Sequence, residues 1–219
     1  MIRIGVLISG SGSNLQSIIE AVNAGSIVGE IVQVISNDEA AYGLTRAAGY
    51  GISTKVVKHG DYSDRHGFDQ ELVRVLKESQ VDLVVLAGFM RVLGADFLAA
   101  FPDRVINIHP ALLPSFPGTH GQDQAFVYGV KLAGCTVHFV DEKVDHGPII
   151  IQAVVPVLSD DSRDRLAARI LRCEHKIFPH ALALYCAGKL QIEDRKVKIS
   201  GVDESVLENQ FLISCPDLV

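Results

Sequence analysis

An amide and an imidazole two positions apart, Asn107 and His109, are the side chains of this sequence best suited to chemistry. They end an apolar segment that begins at Val105 and is typical of a buried strand. Side chains alternate along a strand, so residues two positions apart point to the same face. Pro110 ends the strand, because proline lacks an N–H group and has a fixed φ angle. The pattern predicts a polar pair at a strand end, although an isolated pair of this kind is more often only structural.

A carboxylate that could serve this pair is Asp145, in the turn Asp145-His146-Gly147-Pro148. An imidazole beside a carboxylate and an amide can stabilise an oxygen that becomes negative during acyl transfer. The carboxylate would favour a protonated ring, so that His109 donates to the oxyanion or acts as a general acid. None of the three is a natural nucleophile, so the attacking group would belong to a substrate. The alternative is that Asp145 is an ordinary turn aspartate, because its distance from His109 cannot be read from spacing.

A second candidate site is the glycine-rich turn Gly10–Asn14, which follows the apolar segment Ile2–Ser9 and precedes a helical pattern. Strand, glycine turn and helix together direct backbone N–H groups at whatever occupies the turn, which suits an anion. The turn lacks the third glycine of a dinucleotide fingerprint and the GK[ST] of a P-loop. Helix capping explains it as well as phosphate binding does, although its position favours binding. Asp38, after the second predicted strand, leaves nicotinamide binding open.

The scaffold that must position these residues alternates predicted strands and helices, which is typical of a mostly parallel sheet with right-handed crossovers. Strands are predicted over residues 2–9, 30–36, 53–58, 81–87 and from 105, and helices over 15–22, 39–48, 64–80, 95–101 and 122–128. Further on, strands are predicted over 134–141 and 149–158, a long helix capped by Ser162 over 162–187, and a polar edge strand over 189–199.

The two closely joined strands of the second half are expected to be antiparallel. We therefore expect one α/β domain over residues 1–199, with a Rossmann-like, mostly parallel sheet and an antiparallel C-terminal extension. Residues 200–219 are expected to form a C-terminal tail without identifiable chemistry.

Composition excludes several classes of protein. The chain has 219 residues, of which 48% are hydrophobic, and a net charge of −6, which argues against disorder and against a basic nucleic-acid surface. The 4 cysteines are scattered and no HExxH spacing occurs, so we expect neither a disulfide framework nor a metal site. No segment predicts a signal peptide or a membrane span. We expect a soluble, cytoplasmic protein.

Four segments, in this order, closely resemble phosphoribosylglycinamide formyltransferases: ISGSGSNLQ from Ile8, LAGFMR from Leu86, NIHP from Asn107 and DHGP from Asp145. Each segment alone is a weak signal, but the ordered set is specific, and the likeness covers nearly the whole chain through Ile199. The resemblance implies formyl transfer from 10-formyltetrahydrofolate to glycinamide ribonucleotide in purine synthesis, with small-molecule partners and a monomer or homodimer.

The resemblance also implies a role for each matching residue. Asn107, His109 and Asp145 would be catalytic. The ribonucleotide would be bound by Gly12, Ser13 and Asn14 at its phosphate and by Glu174 at its amine end. The folate would be bound by a pterin pocket of Met90, Arg91, Val92 and Leu93, by Arg65 at the benzoylglutamate, and by Asn107.

Two departures from the bacterial pattern leave local substrate contacts open: Gly121-Gln122-Asp123 replaces Thr-His-Arg, and Arg172-Cys173 precedes Glu174. Three other functions would account for part of the sequence. A formyltetrahydrofolate hydrolase uses the same trio but carries an additional N-terminal domain. A methionyl-tRNA formyltransferase needs a basic C-terminal module, which this acidic chain lacks. A non-catalytic nucleotide-binding module would leave the trio without a purpose.

Overall fold

The structure, a computed structural model, describes residues 1–201, so the predicted tail lies outside the described residues except for its first two. The strands are β1 Ile2–Ile8, β2 Gly29–Ser36, β3 Thr54–Val56, β4 Leu83–Leu86, β5 Val105–His109, β6 Leu132–Phe139, β7 Ile149–Pro156, β8 Leu190–Glu193 and β9 Lys196–Ile199. The helices are α1 Ser13–Asn23, α2 Tyr42–Gly49, α3 Arg65–Glu78, α4 Ala95–Ala100, α5 Gly121–Tyr128 and α6 Arg163–Cys186, with a 3₁₀ turn at His59–Asp61.

All these strands join one sheet in the order β3-β2-β1-β4-β5-β6-β7-β9-β8. The first five strands in this order run parallel to one another. From β6 onward the sheet is antiparallel, except that β9 runs parallel to β7. The predicted fold class, a mostly parallel sheet with an antiparallel C-terminal extension, is therefore confirmed.

Helices cover both faces of the sheet, which is why its central strands are continuously apolar. Alternate residues of β1 enter opposite cores, because side chains alternate along a strand. Val6 packs with Ile18 of α1 and Phe178 of α6, whereas Leu7 packs with Leu72 of α3 on the other face. Two hydrophobic cores therefore hold the central strands between two layers of helix.

Two element predictions were wrong in detail. Residues 189–199 form a hairpin rather than one edge strand, because the chain reverses at Asp194, whose φ of 54° lies in the left-handed region used by tight turns. Helix α2 begins at Tyr42 rather than at 39. The Asp38 carboxylate accepts a hydrogen bond from the Ala40 N–H (2.9 Å), forming a local turn before the helix starts.

The strand order places the C-terminal ends of β1, β4 and β5 side by side, where parallel α/β sheets bind ligands. The loops after β1 and β4 are joined by a hydrogen bond from the Ser9 N–H to the Gly88 carbonyl (3.0 Å). The loops that follow these three strands therefore converge at one edge. Among the described residues, no helix is both long and apolar enough to span a bilayer.

Candidate active site

The structure brings His109 and Asp145 together at this edge. His109 is the last residue of β5, and Asp145 lies in the loop between β6 and β7. The His109 Nδ1 atom is 3.3 Å from Asp145 Oδ2; the His109 side chain is buried, with 5% of its surface exposed, and the Asp145 side chain is largely shielded, with 11% exposed. The sequence could not show this contact, and it is the central feature of the site.

Both nitrogens of the His109 ring face an acceptor. Because a carbonyl can only accept, Nε2 must carry a hydrogen that it donates to the Phe116 carbonyl oxygen (2.9 Å). On the other side of the ring, Nδ1 faces the Asp145 carboxylate. Only an imidazolium, with a hydrogen on each nitrogen, satisfies both acceptors at once.

The Asp145 carboxylate is oriented by backbone groups of two loops. Its Oδ2 accepts a hydrogen bond from the Gly118 N–H (2.7 Å), and Asp145 itself has a φ of 51°. Gly147 is required two residues later, because a Cβ there would lie 1.8 Å from the Phe139 carbonyl oxygen. The proline-rich loop after β5 and the turn after β6 therefore fix this carboxylate jointly.

The third member of the predicted trio, Asn107, contacts His138, a residue without any functional signal in the sequence. In the antiparallel register of β5 and β6, Asn107 lies opposite His138, and its Nδ2 is 3.1 Å from His138 Nε2. The other ring nitrogen, Nδ1, donates to the Phe139 carbonyl oxygen (2.8 Å). Nε2 therefore accepts from the Asn107 amide, which fixes the orientation of that amide.

Burial lowers the pKa of His138, so the ring is neutral at neutral pH. Its Nε2 lies 3.7 Å from Asp145 Oδ1. Since that nitrogen carries a lone pair, the two groups do not form an ion pair. Only the β5–β6 register places His138 in the site, and the sequence holds no local signal of that register.

A cavity of about 270 Å³ opens beside the trio. Among its lining residues are Met90, Arg91, Val92, Leu93, Asn107, His109, His120, His138 and Asp145. Met90 and Val92 are 65% and 50% exposed, whereas Leu93 is buried. Large apolar side chains exposed together beside a cavity are typical of a binding surface rather than of a core.

Arg65 is not among the residues that line this cavity. It is exposed at the start of α3, beside Gly94: a Cβ built on Gly94 would lie 3.6 Å from Arg65 Nε. The structure therefore places Arg65 at the end of the segment that supplies the cavity wall, outside the wall itself.

The glycine turn forms a second cluster beside the same sheet edge. Gly12 has a φ of 68°, and a Cβ there would lie 2.6 Å from the Gly43 Cα atom, so only glycine fits. Helix α1 begins at Ser13 without a side-chain cap. The capping alternative is thereby removed, and the N-terminal N–H groups of α1 are directed at the turn.

Asn14 in this turn contacts Glu174 of α6. Asn14 Nδ2 donates to Glu174 Oε2 (2.7 Å), and both residues are buried. Burial raises the pKa of Glu174, while the hydrogen bond from Asn14 opposes that shift. One hydrogen of the Asn14 amide is thus used, and among residues 1–201 the buried Asn14 Oδ1 has no hydrogen-bond partner. A phosphate, which only accepts hydrogen bonds, could be bound by the backbone N–H groups of the turn.

Gly121, the first residue that differs from the bacterial pattern, lies against His109 of the predicted trio. A Cβ at this position would be 3.1 Å from both His109 Nε2 and the Phe116 carbonyl oxygen. Glycine here leaves room for the ring and its acceptor. Of the other departing residues, Gln122 has a buried Oε1 without a partner, and Arg172 is exposed. Within residues 1–201, no cluster of three or more His, Cys, Asp or Glu side chains is arranged to hold a metal ion.

Comparison with known proteins agrees with this geometry. Residues 2–182 match the formyl transferase family. The chain is 41% identical over 199 residues to phosphoribosylglycinamide formyltransferase of Escherichia coli, covering 91% of this chain and 94% of that protein. It is also 52% identical over 188 residues to the trifunctional purine biosynthetic protein adenosine-3 of Drosophila melanogaster, but spans only 14% of that longer protein.

Solved structures show the same likeness. Glycinamide ribonucleotide transformylase 1 of Symbiobacterium toebii superposes with a TM-score of 0.90 at 52% identity, covering 91% of this chain and 94% of that chain. A formyltetrahydrofolate deformylase of Pseudomonas syringae superposes with a TM-score of 0.85 at 29% identity, covering 90% of this chain and 65% of that chain.

Proposed function

The chain belongs to the formyl transferase family, and on that premise we propose that it transfers the formyl group of 10-formyltetrahydrofolate to the amine of glycinamide ribonucleotide in purine biosynthesis. The observation that carries the proposal is the shielded His109–Asp145 pair, at 3.3 Å, beside Asn107 and an apolar-walled cavity. The formyltransferases that match this chain over nearly their full length support the choice of reaction and substrates.

The ribonucleotide is proposed to bind at the glycine turn. Its phosphate would accept hydrogen bonds from backbone N–H groups at Gly12, Ser13 and Asn14, at the positive end of α1. Glu174 and the unpaired Asn14 Oδ1 together form a patch of acceptors. Such a patch suits the donors of the substrate, its ammonium or hydroxyl groups, rather than its phosphate.

The folate is proposed to occupy the cavity wall formed by Met90, Arg91, Val92 and Leu93. Exposed apolar side chains there match a flat heteroaromatic ring. Arg65, beside Gly94 at the end of that wall, would meet the carboxylates of the benzoylglutamate tail. The formyl carbon would then lie near Asn107 and His109, which line the same cavity.

The proposed reaction is a direct transfer. The substrate amine attacks the formyl carbon, a C–N bond forms, and the carbonyl oxygen becomes an oxyanion stabilised by a hydrogen bond from Asn107 Nδ2 and by the positive charge of the His109 imidazolium. Asp145 stabilises the imidazolium and orders a water that accepts the proton of the amine. The oxyanion then re-forms the carbonyl, the bond between the formyl carbon and the folate nitrogen breaks, and the water passes its proton to that nitrogen, which leaves as tetrahydrofolate.

Hydrolysis of 10-formyltetrahydrofolate is the second candidate, because the deformylase neighbour shares this fold. The two reactions differ only in the nucleophile. Loss of folate absorbance should therefore be followed with and without glycinamide ribonucleotide, using His109→Ala as the inactive control. Deformylation that requires the ribonucleotide supports transfer. Loss without it supports hydrolysis, and no reaction in either case would leave only a binding function.

The remaining parts of the proposal concern the cellular location, the oligomeric state and the partners of the protein. We place the enzyme in the cytoplasm as a monomer or homodimer, acting on small molecules without nucleic acid, membrane or metal. These parts rest on composition and on the family to which the chain belongs.

A further inference from the structure

The turn of the C-terminal hairpin touches the loop that carries Asp145. We name residues Asp141–Pro148, between β6 and β7, the aspartate loop. Arg195 lies in the turn between β8 and β9, within the segment predicted as a polar edge strand. Among residues 1–201 its guanidinium makes polar contacts only with His146, the residue directly after Asp145.

The contact between Arg195 and His146 has two parts. Nη2 of Arg195 donates to the His146 carbonyl oxygen (2.6 Å), and Nη1 lies 3.0 Å and 3.1 Å from the two ring nitrogens. The His146 Nδ1 atom is also 2.8 Å from Asp141 Oδ2, to which it donates. Because Nη1 is almost equally far from both ring nitrogens, it lies over the face of the imidazole rather than in line with one lone pair, and the guanidinium packs on the ring. One side chain therefore binds both the backbone and the ring of His146.

His146 in turn links the two ends of the aspartate loop. Asp141, at the start, accepts from the Lys143 N–H through Oδ1 (3.0 Å) and from the His146 ring through Oδ2. Asp145 and the segment 141–144 all line the cavity. A group that fixes His146 therefore fixes the catalytic carboxylate and one wall of the cavity together.

The hairpin is attached firmly enough to act as a support. Lys196, next to Arg195, pairs in parallel register with Ile149, the first residue of β7 and the second after Gly147. The open end of the hairpin is closed by a hydrogen bond from the Ser200 N–H to the Lys189 carbonyl (2.9 Å). Arg195 thus projects from the sheet onto the aspartate loop at the point where that loop enters β7.

We propose that Arg195 is a positioning residue: through His146 it holds the aspartate loop, and with it the Asp145 carboxylate, in the arrangement that formyl transfer requires. The inference rests on the proposed function for the reaction it serves. Arginine suits this role because its planar group donates to a carbonyl and packs on a ring at once, which a lysine ammonium cannot do in the same geometry.

The kinetic test compares Arg195→Ala, Arg195→Lys and the control Lys198→Ala. Lys198 lies on the same hairpin in an exposed ion pair with Glu193, so its removal changes the charge equally without touching the loop. We expect Arg195→Ala to lower kcat and raise the KM for the folate, together about tenfold in kcat/KM. The KM for the ribonucleotide should stay within about twofold, because its cluster lies outside the cavity. The kcat/KM of Arg195→Lys for the folate should lie between those of wild type and Arg195→Ala, and that of Lys198→Ala should equal the wild-type value.

Amide hydrogen exchange tests the contact independently of activity. The amides of residues 142–147 should exchange faster in Arg195→Ala than in wild type or Lys198→Ala. Unchanged exchange would overturn the inference, and so would faster exchange with unchanged kinetics. If wild type transfers no formyl group, the proposed function fails, and the positioning of the loop is then judged from exchange and from binding of 5-formyltetrahydrofolate. Loss of that binding in Arg195→Ala alone would uphold it, and equal binding would reject it.

Discussion

At the scale of single residues, the site depends on which ring nitrogens of His109 and His138 carry a hydrogen. His138 is held neutral by burial and turns its lone pair toward Asn107, whereas His109 faces two acceptors and is fully satisfied only as a cation. Two imidazoles in one site thus have different hydrogen-bond partners, because His138 faces an amide donor whereas His109 faces a carboxylate and a carbonyl.

Replacing Asp145 with asparagine tests this arrangement. The amide oxygen of Asp145→Asn can still accept the Gly118 N–H, so we expect a folded protein. The negative charge that stabilises the His109 cation is lost, so kcat should fall about 10²- to 10⁴-fold. Steady-state kinetics measure the effect, with exposed Asp160→Asn as the matched control. Turnover near that of wild type would remove Asp145 from the mechanism.

The buried carboxylate of Glu174 lowers the free energy of unfolding at neutral pH. Its pKa is raised by burial, so the folded state disfavours its charge at neutral pH. Glu174→Gln should therefore raise Tm at pH 7.5 by about 2–4 °C, the shift that about 1 kcal/mol produces in a domain of this size. The gain should vanish as the pH falls below the ordinary carboxyl pKa of about 4.3, where both states are protonated.

The same Glu174→Gln variant should bind the ribonucleotide less well, because an amide presents a weaker acceptor to an ammonium group. We expect the KM for the ribonucleotide to rise about tenfold, with the KM for the folate unchanged. Calorimetry and kinetics on one preparation separate the two effects. Exposed Glu20→Gln is the control, and a variant that is more stable with unaltered KM would exclude Glu174 from binding.

At the scale of elements, the loop after β4 is held at both ends. The Met90 N–H donates to Ser9 Oγ (2.8 Å), and the Gly94 N–H donates to Asp69 Oδ2 of α3 (2.7 Å). Asp69 is buried, burial raises its pKa, and within the described part of the chain its Oδ1 has no hydrogen-bond partner. A carboxylate that is buried with one oxygen unpaired costs stability, so we expect Asp69 to have a positional role. That role is to hold the cavity wall between its contacts with Ser9 and Asp69.

Removing that carboxylate should change folate binding selectively. In Asp69→Ala the Gly94 N–H loses its acceptor, and the wall of residues 90–93 is freed at one end. We expect the KM for the folate to rise about 3- to 10-fold while the KM for the ribonucleotide is unchanged. Asp96→Ala, which removes a nearby exposed carboxylate, is the control. Equal changes in both KM values would indicate general destabilisation instead.

The loop after β5 is held from the antiparallel part of the sheet. Thr136 Oγ1 donates to the Ala111 carbonyl (2.7 Å) and accepts from the Leu113 N–H (3.1 Å), and Gln152 Nε2 donates to the Leu113 carbonyl (2.9 Å). This loop ends at Phe116, whose carbonyl fixes the His109 ring. The antiparallel strands therefore support the chemistry of the parallel ones.

At the scale of the whole molecule, the buried neutral His138 links stability to pH. Its folded pKa lies below its ordinary value, so the unfolded chain binds the proton first, and stability is lost as the pH falls below about 6.5. His138→Gln lacks this group. Between pH 7.5 and 5.0, wild type should lose up to about 2 kcal/mol more unfolding free energy than the variant does.

Denaturant unfolding at the two pH values measures this difference. The other titrating groups are common to both proteins and cancel in the comparison. Exposed His59→Gln is the control, which should follow wild type. Parallel losses in wild type and His138→Gln would show that this ring is not held neutral in the folded protein.

The fold class and the residue types available for chemistry could be predicted from the amino-acid sequence. Apolar runs and amphipathic helices are local patterns, and their alternation predicts a parallel sheet whatever the later packing. The residue types at Asn107, His109 and Asp145 likewise indicate oxyanion stabilisation without coordinates.

Which of these groups lie in contact could not be predicted from the sequence and follows from the folded chain. The β5–β6 register placed His138 against Asn107, packing of α6 brought Glu174 to Asn14, and the hairpin turn brought Arg195 to His146. Each contact joins residues far apart along the chain, so its geometry depends on sheet order and helix packing. Local propensity carries no information about those, which is why the predicted strand over 189–199 missed both its turn and its contact.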